Sequence, residues 1–213
     1  MIHLRQTMNP NVDFYNTWLI EMPMGVGQVN SYNQIVYNIK ERIDAGSKVV
    51  KLPDNLCKIQ GTYTIFYWYE INDTIPLCIE LRVAPYGLIV SLVGKNLAYK
   101  GKPLYASDLY NAILNDNKNS IRIFSDDQLS DEGYNIWKKL YLLGDKVSVY
   151  DRVAPGATFI TLNSIDDLDS FFKHDDSKYM QYQYVLSKAD TMLSETRCVF
   201  NTRRFKELSG YII

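Results

Sequence analysis

The sequence predicts a mixed α+β fold: a sheet that begins as an antiparallel meander and continues as β-α-β-α-β, with helices on both faces. Two observations carry that prediction. Between residues 57 and 93, runs rich in Tyr, Thr, Ile, Val and Trp are separated by the turn dipeptide Asn72-Asp73 and by Pro85-Tyr86-Gly87, which is how strands joined by short turns read. From Leu88 to Tyr150, strand-type runs alternate with runs of helical period, the mark of crossover connections and parallel pairing. The 213 residues, 46% hydrophobic and 22% charged, suffice to bury a core in one domain without disulfides or metal.

The first helix is expected from about Ser31 to Asp44. Tyr32, Ile35, Val36, Ile39 and Ile43 share one helical face, Asn30 or Ser31 can cap the start, and Gly46 follows the end. Residues 1 to 29 read as irregular, around Asn9-Pro10 and a turn at Pro23 to Gly27. Three strands follow: Ile59 to Ile71, Pro76 to Val83 and Leu88 to Val93. Gly94 to Lys102 reads as a loop, and Pro103 opens a helix reaching about Asn115. Ser120 to Phe124 is a short strand. Ser130 caps the next helix, with Asp131 and Glu132 in its first turn where negative charge suits the helix dipole. Gly133, Ile136, Trp137 and Leu140 form its inner face, and Gly144 ends it. Lys146 to Tyr150 and Ala157 to Leu162 read as strands, Ser164 starts a short helix with Ile165, Leu168, Phe171 and Phe172 inward, and Tyr179 to Leu186 is the last strand. Nothing divides the chain, so a single domain is expected.

Composition removes several classes of function. Lys+Arg and Asp+Glu nearly cancel, for a net charge of −1, so no global field draws the chain to nucleic acid. Cys57, Cys78 and Cys198 are far apart and form no CxxC pair, which argues for reduced, buried thiols and against a zinc site. No leader-like or bilayer-length apolar run occurs, so a cytoplasmic location is expected, or carriage by something assembled in a cytoplasm. Ser107-Asp108 and His174 make no hydrolase constellation. Asp126, Asp127, Asp131 and Glu132 are accounted for by capping. The 17 tyrosines suit half-buried strand faces and a partner surface. The Tyr63 to Tyr69 aromatics and the basic run Arg203-Arg204-Phe205-Lys206 read as sheet and as solvated surface.

One stretch carries chemistry. Tyr99-Lys100-Gly101-Lys102, followed by Leu109-Tyr110-Asn111-Ala112-Ile113-Leu114, then Ser120-Ile121-Arg122-Ile123-Phe124, then Ile136-Trp137-Lys138-Lys139-Leu140 and Gly144, resembles the core of the GNAT superfamily of acetyl-CoA-dependent N-acetyltransferases over residues 57 to 151. The resemblance implies a GNAT-like mixed sheet, acetyl-CoA as cofactor, and an amine on a small molecule or protein as substrate. It implies that the backbone at Leu92, Val93 and Gly94 meets the pantetheine arm. Lys100, Gly101, Lys102, Tyr105 and Ala106 would hold the pyrophosphate, because glycine lets backbone approach and a helix N-terminus offers free N–H donors. Glu80, mid-strand, is the candidate base, with Glu70 next to it in line. Tyr141 is the candidate acid, since Trp137 stands where the family often has a tyrosine. Pro103-Leu104-Tyr105-Ala106 departs from the glycines usual in that turn, and proline removes a donor. The run from Ser125 through Trp137 to Asp151 also resembles uncharacterised proteins of tailed bacteriophages. That resemblance implies an alternative: an inactive phage accessory or virion protein of this fold, acting by protein–protein contact through its tyrosine-rich surface.

Overall fold

The computed structural model describes residues 27–117, 121–126, 129–154, 158–172 and 181–188. The expected features at Asn9-Pro10, Pro23, Ser120, Asp127, His174, Cys198 and Arg203 to Lys206 lie outside them. Helix α1 spans Gly27–Asp44 and starts four residues before Ser31. Ile35 and Ile39 are fully buried, whereas Ile43, expected on the same stripe, stands exposed one turn beyond the last residue that meets the sheet. Gly46, at φ 83°, ends the helix, with Ser47 N–H donating to Arg42 O and Gly46 N–H to Ile43 O, both at 2.9 Å.

The meander comprises β1 (Val50–Lys51), β2 (Leu56–Gln60), β3 (Thr64–Tyr69), β4 (Leu77–Ala84) and β5 (Gly87–Lys95). The single strand expected over Ile59 to Ile71 is two. The chain reverses at Gly61-Thr62-Tyr63, so that Ile59 faces Phe66 and Gln60 faces Ile65. The sequence shows only one glycine there among good strand formers, too little to mark a turn. Asn72 and Asp73 form the expected tight turn, both at positive φ, and the backbones of Ile71 and Thr74 bond each other across it.

After β5 come α2 (Ala106–Asp116), β6 (Ile123–Phe124), α3 (Asp131–Leu142), β7 (Lys146–Asp151), β8 (Thr158–Thr161), α4 (Ile165–Ser170) and β9 (Tyr182–Ser187). The sheet order is β1-β2-β3-β4-β5-β6-β9-β7-β8. The crossover through α2 pairs β5 and β6 in parallel, as expected. The crossover through α3 does not pair β6 with β7: β9 enters between them, antiparallel to both. β6 and β7 thus run the same way one strand apart. Pro103 lies outside α2, whose N-cap is Tyr105. Ser130 and Ser164 cap α3 and α4, their Oγ atoms accepting from Gly133 N–H (3.2 Å) and Asp167 N–H (3.1 Å).

The sheet separates two apolar layers. On one face α1 lies over β4 and β5, its Ile35 and Ile39 meeting Cys57, Ile59, Phe66, Trp68 and Cys78. On the other, α2 and α3 cover Ile65, Tyr67, Leu77, Ile79, Leu81 and Val90. Strand alternation assigns the faces along β4. Along β5 the assignment changes partway: Leu88 and Val90 face α2 and α3, but beyond them so does Val93, while Leu92 faces α1. Ser91 is an extra residue, since Glu80 pairs with Leu92 and Leu81 with Val90. A bulge of this kind moves every following side chain to the other face.

The C-terminal end of α2 is tied to the meander by charge. Asp116 accepts from Lys58 Nζ at 2.7 Å and from the hydroxyl of buried Tyr67 at 2.8 Å. An acid at a helix C-terminus opposes the dipole, and Lys58 offsets it. Asp116→Ala, which strands both donors, is expected to cost about 2 kcal/mol in urea unfolding. In the Tyr67→Phe background the same change should cost measurably less; equal losses would mean that the hydroxyl contact carries no energy.

Candidate functional site

β5 and β6 pair at only two positions, Leu88 with Ile123 and Ile89 with Phe124. β5 then continues through Val90–Lys95 with no strand pairing that side among the described residues. The cause is the next residue, Ser125. Its N–H donates to Tyr184 O at 2.8 Å, and its Oγ accepts from Tyr184 N–H at 3.0 Å, so the chain leaving β6 is drawn to β9 and away from β5. The two strands therefore part as a fork, with the Ser91 bulge on the long arm.

Above that arm sits the loop to α2. Asn96 caps a single 3₁₀ turn, its Oδ1 accepting from Ala98 N–H at 2.9 Å. Lys95 Nζ donates to the carbonyls of Lys102 (3.2 Å) and Leu104 (2.7 Å), which fixes the loop over the strand end. Lys102 lies over the Tyr99 ring, with Nζ 4.4 Å from its centroid. Gly101 takes φ 80°, a left-handed turn that favours glycine. Lys139 reaches from α3 to the start of α2, its Nζ 3.3 Å from the centroid of the Tyr105 ring. Ser107, 2% exposed on the inner face of the first turn, has an Oγ without a hydrogen-bond partner. The Ala106 and Ser107 amides open the helix without internal partners. One group opposes an anion there: the Asp108 carboxylate accepts from Tyr105 N–H at 3.3 Å. Lys139 and Ser107 were invisible as site residues in the sequence, because a contact between helices has no local signature.

Of the residues expected at the cofactor, Lys100, Gly101, Lys102, Tyr105 and Ala106 are gathered in this loop and helix start. Val93 and Leu92 face opposite layers of the core. Gly94 is set by packing. A Cβ there would lie 2.4 Å from Tyr32 Cα, because α1 crosses β5 at this point. Tyr32 reinforces the crossing: its hydroxyl donates to Ile75 O at 2.8 Å and accepts from Asn96 Nδ2 at 3.0 Å.

The two candidate catalytic residues are not brought together. Glu80 shares the face of Cys78, under α1, whereas Tyr141 is part-buried against the core beneath α2 and α3. Glu80 is 8% exposed, and Asn38 Nδ2 donates to its Oε2 at 3.2 Å. Burial raises the pKa of its carboxyl above the ordinary range, with Asn38 and Arg42 acting the other way. It forms the floor of a hollow of about 230 Å³ whose walls include Tyr37, Asn38, Glu41 and Arg42 of α1 and Thr64 and Phe66 of β3. Glu70, the other candidate base, is engaged elsewhere, in a second hollow of about 250 Å³. It accepts from Cys57 Sγ at 3.3 Å and pairs with Lys51 at 3.7 Å. Burial, with that carboxylate beside it, pushes the Cys57 thiol up to about 11, so it is no nucleophile near neutrality.

The fold and these features define a mixed α+β protein with a forked sheet, a lysine-rich loop at a helix start and a buried acid under a separate helix. No protein-family model matches the chain, and no curated protein and no solved structure matches it. No helix among the described residues is long and apolar enough to cross a membrane, and no cluster of three His, Cys, Asp or Glu side chains suited to a metal occurs among them.

Proposed function

We propose that the chain is a GNAT-like acyltransferase that moves an acetyl group from acetyl-CoA to an amine. The observation that carries this reading is the fork between β5 and β6 with the start of α2 beside it. The forked arm offers backbone groups along Val90–Lys95 that an extended pantetheine chain can pair with, as a strand would. The amides of Ala106 and Ser107, the partnerless Ser107 hydroxyl and the ammonium groups of Lys100, Lys102 and Lys139 suit the pyrophosphate. The order of elements, meander then helix, parallel strand, helix and strand, also supports the reading. Bound acetyl-CoA would supply the acetyl group already activated as a thioester.

The protein's own part is to hold the amine and take its proton. Glu80 is the base on this reading. It sits on β4 opposite Leu92, one residue from the Ser91 bulge, and one strand width from the long arm of the fork, about 5 Å. Its raised pKa brings a carboxylate closer to the range of an effective base. Tyr141 has no such placement, so the thiolate would draw its proton from water.

Titration calorimetry with acetyl-CoA tests the proposal, with micromolar binding expected. Lys100→Ala combined with Lys102→Ala is expected to weaken it about tenfold or more. Absence of binding at millimolar acetyl-CoA would overturn it. A second reading, a protein of the same fold acting by protein–protein contact, is favoured by the Asp108 carboxylate at the start of α2, where a pyrophosphate would meet like charge.

A further inference from the structure

The hollow under α1 is chemically unlike the fork. Its floor is the Glu80 carboxylate, whose one hydrogen bond among the described residues is the 3.2 Å contact from Asn38 to Oε2. Asn38 is itself held in orientation. Gln34 Nε2, one turn earlier on α1, donates to Asn38 Oδ1 at 3.0 Å, which turns the amide NH₂ toward Glu80. Oε1 is left for something else. Arg42, one turn further along the same helix, pairs with no described carboxylate. Its field reaches Glu80, yet the two are farther apart than the ~4 Å of an ion pair. Its guanidinium lies beside Gly61, so close that a Cβ there would come within 2.9 Å of Nη1. The absence of a side chain on Gly61 leaves room for the guanidinium beside it.

A buried acid without a cation is costly, and the cost is relieved when an ammonium group joins it. A guanidinium offers a planar pair of donors that matches a carboxylate. Both stand around one hollow of about 230 Å³, which admits a small molecule and no more than a side chain of a large one. We propose that this hollow binds a small zwitterion of the amino-acid class, its primary amine on Glu80 and its carboxylate on Arg42. As an acceptor site it rests on the acyltransferase reading; as a binding site it stands without it. Asn38 is then a positioning residue, and Tyr37, 59% exposed at the edge, supplies the apolar wall.

The test is calorimetry on the full chain with glycine, β-alanine and 4-aminobutyrate, which differ in the spacing of their charges, against propylamine and propionate, which carry one charge each. At least one amino acid is expected to bind tenfold or more tightly than both singly charged probes. Glu80→Gln and Arg42→Gln are each expected to remove that advantage. Arg42 is exposed, so its variant reads out binding even if the Glu80 variant is destabilised. Equal binding of all five probes, no binding of any, or wild-type affinity in the Arg42 variant would overturn the proposal. Acetyl-CoA titrated into the same preparation separates the two readings. Amino-acid binding without acetyl-CoA binding keeps this site and ends the transferase, and the reverse outcome ends this site alone.

Discussion

Gly94→Ala is expected to lower the melting temperature by about 10 °C. The added methyl would lie 2.4 Å from Tyr32 Cα, 2.8 Å from Tyr32 N and 2.9 Å from Tyr32 Cβ. Two of those three atoms are backbone, so no rotamer change relieves the clash, and α1 must lift from β5. Overpacking at a tight site costs about 3 kcal/mol, and each kcal/mol shifts the midpoint of a chain this size by roughly 2–4 °C. The shift should come with a functional signature. α1 supplies Asn38 and Arg42 to the Glu80 hollow, so ligand affinity there should fall as well. Thermal unfolding followed by circular dichroism reads the first effect and calorimetry the second. A midpoint within about 2 °C of the parent would show that α1 is not pressed onto the strand at Gly94.

Why Gly94 matters was not legible in the sequence. There it reads as the end of a strand and the start of a loop, and a glycine in that place suggests turn chemistry. The reason it must be glycine is a helix far earlier in the chain, and no local pattern reports that. The same holds for β9. The last strand, expected over Tyr179 to Leu186, is described as β9 at Tyr182–Ser187, but its insertion between β6 and β7 depends on pairings of Phe124 with Val185 and Val149 with Tyr184 that link distant segments. Features set within a few residues were legible: Gly46 and Gly144 at positive φ after α1 and α3, the Ser130 and Ser164 caps, the Asn72-Asp73 turn. Capping and turn chemistry act over three or four residues, so sequence spacing contains them. Of the candidate site, the loop residues from Lys100 to Ala106 lie together because they are contiguous, and the face on which Glu80 sits was legible because alternation along β4 sets it opposite to Ile79 and Leu81. Asn38, Arg42, Ser107 and Lys139 join the two sites only through packing.

The fork itself depends on a polar residue in an apolar layer. Ser125, 1% exposed, satisfies its own N–H and the N–H of Tyr184 by bonding to one neighbour. A valine there would leave Tyr184 N–H unpaired in the core, a loss of about 1–3 kcal/mol. The strand pairing that opens the sheet on one side is therefore fixed by a hydroxyl on the other.

Trp137→Ala should be the most damaging single change in the helical layer, at about 4 kcal/mol. The side chain is 1% exposed and joins three elements. Its ring meets Tyr110 of α2 edge-on, at 5.6 Å between centroids and 85° between planes, and stacks on Tyr184 of β9 at 6.0 Å and 25°. Tyr184 in turn donates its hydroxyl to Leu168 O at 2.7 Å, so the loss would spread to α4. Aromatic pairs of this geometry add about 0.5–1.5 kcal/mol each beyond the area they bury. Trp137→Phe keeps part of both contacts and should lose about half as much. Trp137→Tyr discriminates between roles. If this position supplied a catalytic proton on the acyltransferase reading, a tyrosine there would raise any acetyl transfer. The packing predicts instead a hydroxyl forced among apolar rings, with stability lowered by about 2 kcal/mol relative to Trp137→Phe and no gain in rate. Urea unfolding of the three variants, with transfer to a common amine measured in parallel, gives both readouts. A stable, more active Trp137→Tyr protein would place the chemistry beneath α3 and move it away from the hollow that holds Glu80.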